Sequence, residues 1–250
     1  MNKKWIVIPD VHGRKFWRDV VKGNEEERII FLGDYLDPYA EEGITPEDAY
    51  NELLDIIEFK RKHPENVTLL LGNHDLGYLD SNICSFRQDK RKLKRNRKLL
   101  QDNLDLFDII SEDSFSEQKI LFSHAGIRTT WLINNDWLFD TKNFQPNVIN
   151  RLFHDDEGRK DLFISLADVS IFRGGLDTSG SVVWTDIEEF IYCNDELPGY
   201  IQVFGHTLHT GGAWVIDKHL WCLDCGKGFK VKSSSDNTGI EIKELRDVRY

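Results

Sequence analysis

Five short apolar runs punctuate the chain, and each stops at a small or turn-forming residue with a polar, ligand-type side chain soon after it. Residues 5–9 (WIVIP) lead to Asp10 and His12, 29–33 (IIFLG) to Asp34, and 68–72 (TLLLG) to Asn73, His74 and Asp75. Further on, 120–123 (ILFS) leads to His124 and 200–205 (YIQVFG) to His206. Runs of this kind, without polar alternation, read as strands buried on both faces. Helix-like stretches separate the first four. The clearest covers 46–62, where Ala49, Leu53, Ile56 and Ile57 recur at helical spacing behind Thr45 as a capping residue. Strand and helix in alternation predict an α/β core. After residue 211 the texture changes: 213–216 and 220–223 flank Asp217 and Lys218 as a hairpin, and 240–245 supplies another strand, so this part is expected to be antiparallel. The aromatic, Asn-rich and Gly-rich segment 127–199 predicts loops and short helices over a rim, an irregular insertion in a single domain spanning 1–250.

Composition narrows the classes. A chain of 250 residues with 40% hydrophobic content can bury a full core, which excludes a small disulfide scaffold and a disordered chain. The net charge of -11 opposes nucleic acid or an anionic membrane as general partners. Four cysteines without framework spacing, and a start carrying only one short apolar run, predict free thiols, a cytoplasmic setting and no membrane span. Cys222 and Cys225 form a single CxxC inside a predicted strand, where alternation sends the thiols to opposite faces and core packing outweighs a metal or redox role. One stretch departs from the acidic balance: 87–98 holds eight basic residues and one acid, Asp89. It predicts a helix with Leu93, Leu100, Leu104 and Phe107 toward the core; its charges are a solvated face by default and an electrostatic funnel for a polyanion as the functional reading.

In open α/β sheets the ligand crevice lies at the carboxyl ends of the strands, so these Asp, Asn and His side chains are expected to converge. Asp10 and His12, two residues apart in extended chain, point to one face and suit a first metal ion. Asp34 can offer one oxygen to each of two ions, and Asn73, His124 and His206 complete the second. The donors are oxygen and imidazole, a set that suits two divalent ions, Mn2+ first and Fe or Zn as alternatives. Two such ions against two aspartates leave a positive field for a phosphate dianion.

DVH (10–12), GDYLD (33–37), GNHD (72–75), HAG (124–126) and GHT (205–207), in that order, resemble the signature of the calcineurin-like metallophosphoesterases, most of all the phosphoprotein phosphatase branch with its Ser/Thr phosphatases and symmetrical dinucleoside tetraphosphatases. The resemblance covers about 5–126 and 200–230. It implies a β-sandwich of two mixed sheets flanked by helices (αββα), and a metal-bridging hydroxide that attacks phosphorus in line. It further implies His74 as the acid that protonates the leaving oxygen, Asp37 as its orienting carboxylate, Asn73 at the substrate phosphate as well as on metal, and LWCLDCG as a strand running back under the site. Asp75 is read as a brace of its loop.

Two departures matter. Pro38 stands where the family commonly carries an arginine that grips phosphate, so another cation must serve; Arg173, in RGGLDTSGSVVW, is the candidate, with Gly174 and Gly175 letting backbone approach an anion, and Arg128 is weaker. GHTLH carries its second histidine one residue late, so His209 is left out of the metal set. The expected activity is a phosphomonoesterase resembling the Ser/Thr protein phosphatases, with a phosphorylated protein or small phosphoester as partner. Hydrolysis of a dinucleoside polyphosphate or other nucleotide, the alternative, is favoured by HAG and the basic stretch. A nuclease fits the charge poorly, and a catalytically dead binding module conflicts with the complete ligand set.

Overall fold

The computed structural model describes residues 3–83, 87–235 and 239–245, and Cys84 falls outside them. The N-terminal half runs β1 (Lys4–Ile8), α1 (Phe16–Val21), β2 (Arg28–Phe31), α2 (Pro46–Lys62), β3 (Val67–Leu70), α3 (Asn73–Leu79), α4 (Leu93–Gln101), β4 (Phe107–Asp108), β5 (Ile110–Phe115) and β6 (Gln118–Ser123). Helices α5 (Thr129–Asn134), α6 (Asn147–His154), α7 (Asp156–Leu166) and α8 (Ile187–Cys193) occupy 127–199. Strands β7 (Tyr200–Phe204), β8 (Trp214–Asp217), β9 (Leu220–Cys222), β10 (Gly228–Ser233) and β11 (Ile240–Leu245) close the chain.

Local chemistry accounts for the clearest helix. The Thr45 hydroxyl accepts from the Asp48 N–H at 3.1 Å while the Asp48 carboxylate accepts from the Thr45 N–H at 2.9 Å, a reciprocal cap, and Pro46 has no N–H to leave unpaired. Lys60, Arg61 and Lys62 sit at the negative end of the helix dipole. The helix buries Ala49, Leu53, Ile56 and Ile57, the four positions its periodicity selected.

Two mixed sheets result. The first has the order β11-β10-β1-β2-β3-β4, with β1 to β4 parallel and β10 and β11 antiparallel. The second has the order β5-β6-β7-β9-β8. Trp5, Val7, Ile30 and Leu70 of the first meet Ile120, Phe122, Ile201 and Val203 of the second in one buried cluster. On the outer face of the first sheet Ile6, Ile29 and Phe31 pack with Trp17, Val20, Leu53 and Ile56 of α1 and α2, and α8 lays Ile187 and Phe190 on Phe204 and Leu220 of the second. Fully burying each large apolar side chain contributes about 1.5–3 kcal/mol, so the sheet pair makes a rigid platform for loops at its edge. This is the expected αββα sandwich.

Three sequence expectations change. The hairpin of β8 and β9 forms, but β9 pairs parallel with β7, because two reversals after β7 restore the original chain direction. The basic helix is shorter than its pattern suggested: it ends at Gln101, Leu104 lies in a 3-10 turn and Phe107 in β4. The Asn103 amide donates back to the Leu99 carbonyl at 2.7 Å and closes the helix, whose buried positions are Asn96, Leu99 and Leu100. Of the CxxC pair only Cys222 is in a strand, buried at its end; Cys225 follows in the turn, and both thiols are free.

Candidate active site

Strand ends aim the candidate ligands, and tight turns do the aiming. His12, Asp34, Asp37 and His206 all have positive φ, between 45° and 66°. Such backbone is strained for residues with a Cβ and concentrates where function fixes a side chain. Glycines clear the space: a Cβ on Gly72 would lie 2.1 Å from Asp34 Oδ1, and one on Gly205 would lie 2.2 Å from Asp10 Oδ1. Both carboxylates therefore press directly on backbone.

The six predicted ligands converge. Donor atoms of Asp10, His12 and Asp34 lie within 4.8 Å of one another, and so do those of Asp34, His124 and His206. Asp34 belongs to both groups. Its Oδ2 lies 3.5 Å from His12 Nε2 and 3.6 Å from His124 Nε2, while its Oδ1 accepts from the His74 N–H. Asn73 Oδ1 sits 3.0 Å from His124 Nε2, and His206 Nδ1 is 3.1 Å from the same nitrogen.

The tautomers show what these atoms need. His12 Nδ1 donates to the Leu36 carbonyl at 2.8 Å and His124 Nδ1 to the Leu32 carbonyl at 2.9 Å, so each Nε2 turns a lone pair toward the centre. His124 Nε2 and Asn73 Oδ1 are then two acceptors facing each other, as are His12 Nε2 and Asp34 Oδ2. Shared cations are what such a donor set fits. Burial, with His74 and Arg87 adding to it, pushes His12 well below the ordinary imidazole range, and burial with Arg173 does the same to His206, keeping both as neutral donors. Burial pushes Asp34 well up, with Asp10 and Asp75 adding, a cost that a bound cation relieves.

Around this centre stand the supporting groups. Asp75 accepts from the N–H groups of Asp34, Tyr35 and Gly72, which makes it the brace the sequence suggested, and burial pushes its carboxyl up to about 7. His74 Nδ1 donates to Asp37 Oδ2 at 2.9 Å, and the Tyr78 hydroxyl donates to Asp37 Oδ1 at 2.5 Å. Arg173 is at the site: Nη2 donates to Thr207 Oγ1 at 2.8 Å and to the His206 carbonyl at 3.3 Å, and Nε pairs with Asp186. Its glycines serve the turn: Gly174 adopts positive φ, and Val169 fills the room that Gly175 leaves. Arg128 is committed elsewhere, buried against Glu189 and Asp195. His209 bonds the Cys222 carbonyl and stands outside both donor groups.

Sequence reasoning missed three groups. Arg87 holds its guanidinium carbon over the Tyr39 ring, 3.8 Å from the centroid, donates from Nε to the Asp37 carbonyl at 3.2 Å, and brings Nη2 to 3.3 Å from His12 Nε2. No local signal marked it among eight basic residues. Asp224 is buried within the field of Asp10, and burial pushes its carboxyl well up. It was findable, since the run 220–223 ends in a ligand-type residue as the other five do. Tyr78 bore no signal. A cavity of about 830 Å³ is lined by Gly13 and Arg14, chain neighbours of His12, by Leu208 and His209, which closely follow His206, and by Ile44 among others, while none of the six candidate ligands lines it.

A two-sheet α/β sandwich with buried oxygen and imidazole donors at its strand ends is a scaffold suited to holding metal ions. Residues 4–209 match the model of the calcineurin-like phosphoesterases, and the chain belongs to that family. It is thus a metal-dependent hydrolase of phosphoric esters. Solved structures share the fold. A cold-active protein-tyrosine phosphatase of the psychrophile Shewanella sp. superposes with a TM-score of 0.57 at 16% identity, over 98% of this chain and 80% of that one. A protein serine/threonine phosphatase from Saccharomyces cerevisiae, similar to human PP5, gives 0.54 at 14% identity, over 99% and 81%. Among the described residues no helix is long and apolar enough to cross a membrane.

Proposed function

We propose that one catalytic domain, rimmed by 127–199, hydrolyses phosphomonoesters with two divalent ions, after the manner of the Ser/Thr protein phosphatases. The observation that carries this is the place of the Asp34 carboxylate in both donor groups, between His12 and His124. Asp10 and His12 would hold one ion, Asn73, His124 and His206 the other, and Asp34 both; Mn2+ suits the set best, with Fe or Zn next. Bound there, the ions would activate water and neutralise the phosphoryl oxygens.

The chain's own residues do the rest. His74, held by Asp37, delivers a proton to the leaving oxygen as the ester P–O bond breaks. Arg87, on Tyr39, and Arg173, on Thr207, reach the centre from different segments and would bind the equatorial phosphate oxygens with Asn73. Arg87 thereby takes the part left open at Pro38. Removing either guanidinium, as Arg87→Ala or Arg173→Ala, is expected to raise KM for a phosphate dianion by about 10 to 100-fold, the loss of one charge-assisted contact of about 1.5–3 kcal/mol. An unaltered KM in both variants at low salt defeats the clamp.

The cavity lined by Gly13, next to His12, and by Leu208 favours a second reading, a nucleotide or dinucleoside polyphosphate, because about 830 Å³ accommodates a nucleoside. A panel of phosphopeptides, p-nitrophenyl phosphate and diadenosine tetraphosphate after Mn2+ loading separates the two. Two ions per chain with phosphopeptide turnover supports the first reading; turnover confined to the dinucleotide replaces it with the second.

A further inference from the structure

Asp37 is held at three places. Its carboxylate accepts from His74 Nδ1 on one oxygen and from the Tyr78 hydroxyl on the other, and its carbonyl accepts from Arg87 Nε. Its own φ is 57°, so the main chain there is strained and depends on such anchors. The terminal torsion of an aspartate is broad, and a bond to each oxygen fixes the carboxylate plane better than one. Tyr78 is fully buried on α3, one helical turn past His74, so the same short helix presents both partners of Asp37.

The basic stretch is built onto this tyrosine. The Asp89 N–H donates to its hydroxyl at 3.3 Å, and Arg97 Nε donates to its carbonyl at 2.7 Å. Arg95 pairs with Glu47 and lies on Tyr50, and Lys98 pairs with Asp102. A stretch that looked from its charge like a funnel thus spends part of it on contacts that hold the segment against α2 and α3.

We infer that Tyr78 is a positioning residue for general-acid catalysis, the third member of a Tyr78–Asp37–His74 chain that aims His74 at the leaving group. This rests on the reading of His74 as the acid. Tyr78 touches no substrate and exchanges no proton. The proton from His74 goes to the departing oxygen as the ester P–O bond breaks, the attacking water supplies the new P–O bond and gives its proton to solvent, and Asp37 stays ionised. Burial and the neighbouring Asp37 push the tyrosine well above its ordinary range, which keeps the hydroxyl a donor throughout.

Tyr78→Phe removes only the oxygen. Expected is a loss of about tenfold in kcat on alkyl phosphates, shrinking steadily as the leaving phenol becomes more acidic and vanishing at p-nitrophenyl phosphate, with KM and metal content held. A merely structural role would lower all substrates alike. In the metal-free protein the downfield His74 imidazole N–H proton resonance should shift in Tyr78→Phe. It should also shift when 3-fluorotyrosine, which keeps ring and hydroxyl, is placed at 78 alone; that second measurement stands if the phenylalanine variant folds poorly. His74→Ala on the same esters separates the two layers. Should it lack leaving-group dependence, the acid reading fails. Should it show the dependence while Tyr78→Phe matches the parent on every ester, or the resonance hold still in both proteins, the role given to Tyr78 is overturned.

Discussion

Asp34→Asn is expected to lose at least one metal ion per chain and to lower turnover by roughly 1,000-fold or more, the equivalent of about 4 kcal/mol of barrier. The amide keeps the shape of the carboxylate and one of its oxygens, so the loss reports charge and bridging, not packing. Either orientation fails for a different reason. With its oxygen where Oδ2 stands, between His12 and His124, the amide turns its NH2 toward the His74 N–H, a donor facing a donor. With the NH2 there instead, it faces the lone pairs of His12 Nε2 and His124 Nε2 and takes the place of cations. The second orientation carries a further expectation: because burial penalises the charge on Asp34, the metal-free variant should melt above the metal-free parent, while added Mn2+ raises the melting temperature of the parent far more than that of the variant. Elemental analysis and paired melting curves measure both effects. A variant that retains its full metal complement removes Asp34 from the bridging position.

How far the chain could be read without coordinates follows from which forces act locally. Thr45, Pro46 and the spacing of Leu53, Ile56 and Ile57 write α2 in full, because capping and amphipathicity are short-range. The convergence of the candidate ligands was legible for a related reason: a buried strand that ends in a small or turn-forming residue before Asp, Asn or His states both the platform and the group standing on it. What could not be read depends on distant segments meeting. Leu104 and Phe107 continue the apolar spacing of α4, yet β4 must pair with β3, and that pairing takes Phe107 out of the helix. Arg128 follows HAG and looks available in sequence, but Glu189 and Asp195, some sixty residues away, claim both ends of its guanidinium. Arg87 is the converse case, a side chain unremarkable among basic neighbours that Tyr39 and the Asp37 carbonyl select by position alone.

His74→Ala tests the chemistry apart from the metals. His74 gives its backbone N–H to Asp34 Oδ1, a bond that alanine keeps, and its ring stands edge-on to His12 at 5.2 Å without joining either donor group. Metal content should therefore hold. Turnover of an alkyl phosphate should fall by about 100 to 10,000-fold, the usual worth of a positioned general acid. With p-nitrophenyl phosphate the fall should be far smaller, since that leaving group departs as the anion and barely draws on a proton. The contrast between the two esters is the informative quantity, because a disturbed metal site or a loosened loop would lower both alike. Asp37→Asn should move in the same direction by less: the ring nitrogen keeps an oxygen acceptor at 2.9 Å but loses the charge that stabilises it in its protonated form. If the alanine variant loses equal factors on both esters, His74 supports the centre without donating the proton, and the acid must be sought among the other groups that face the leaving oxygen.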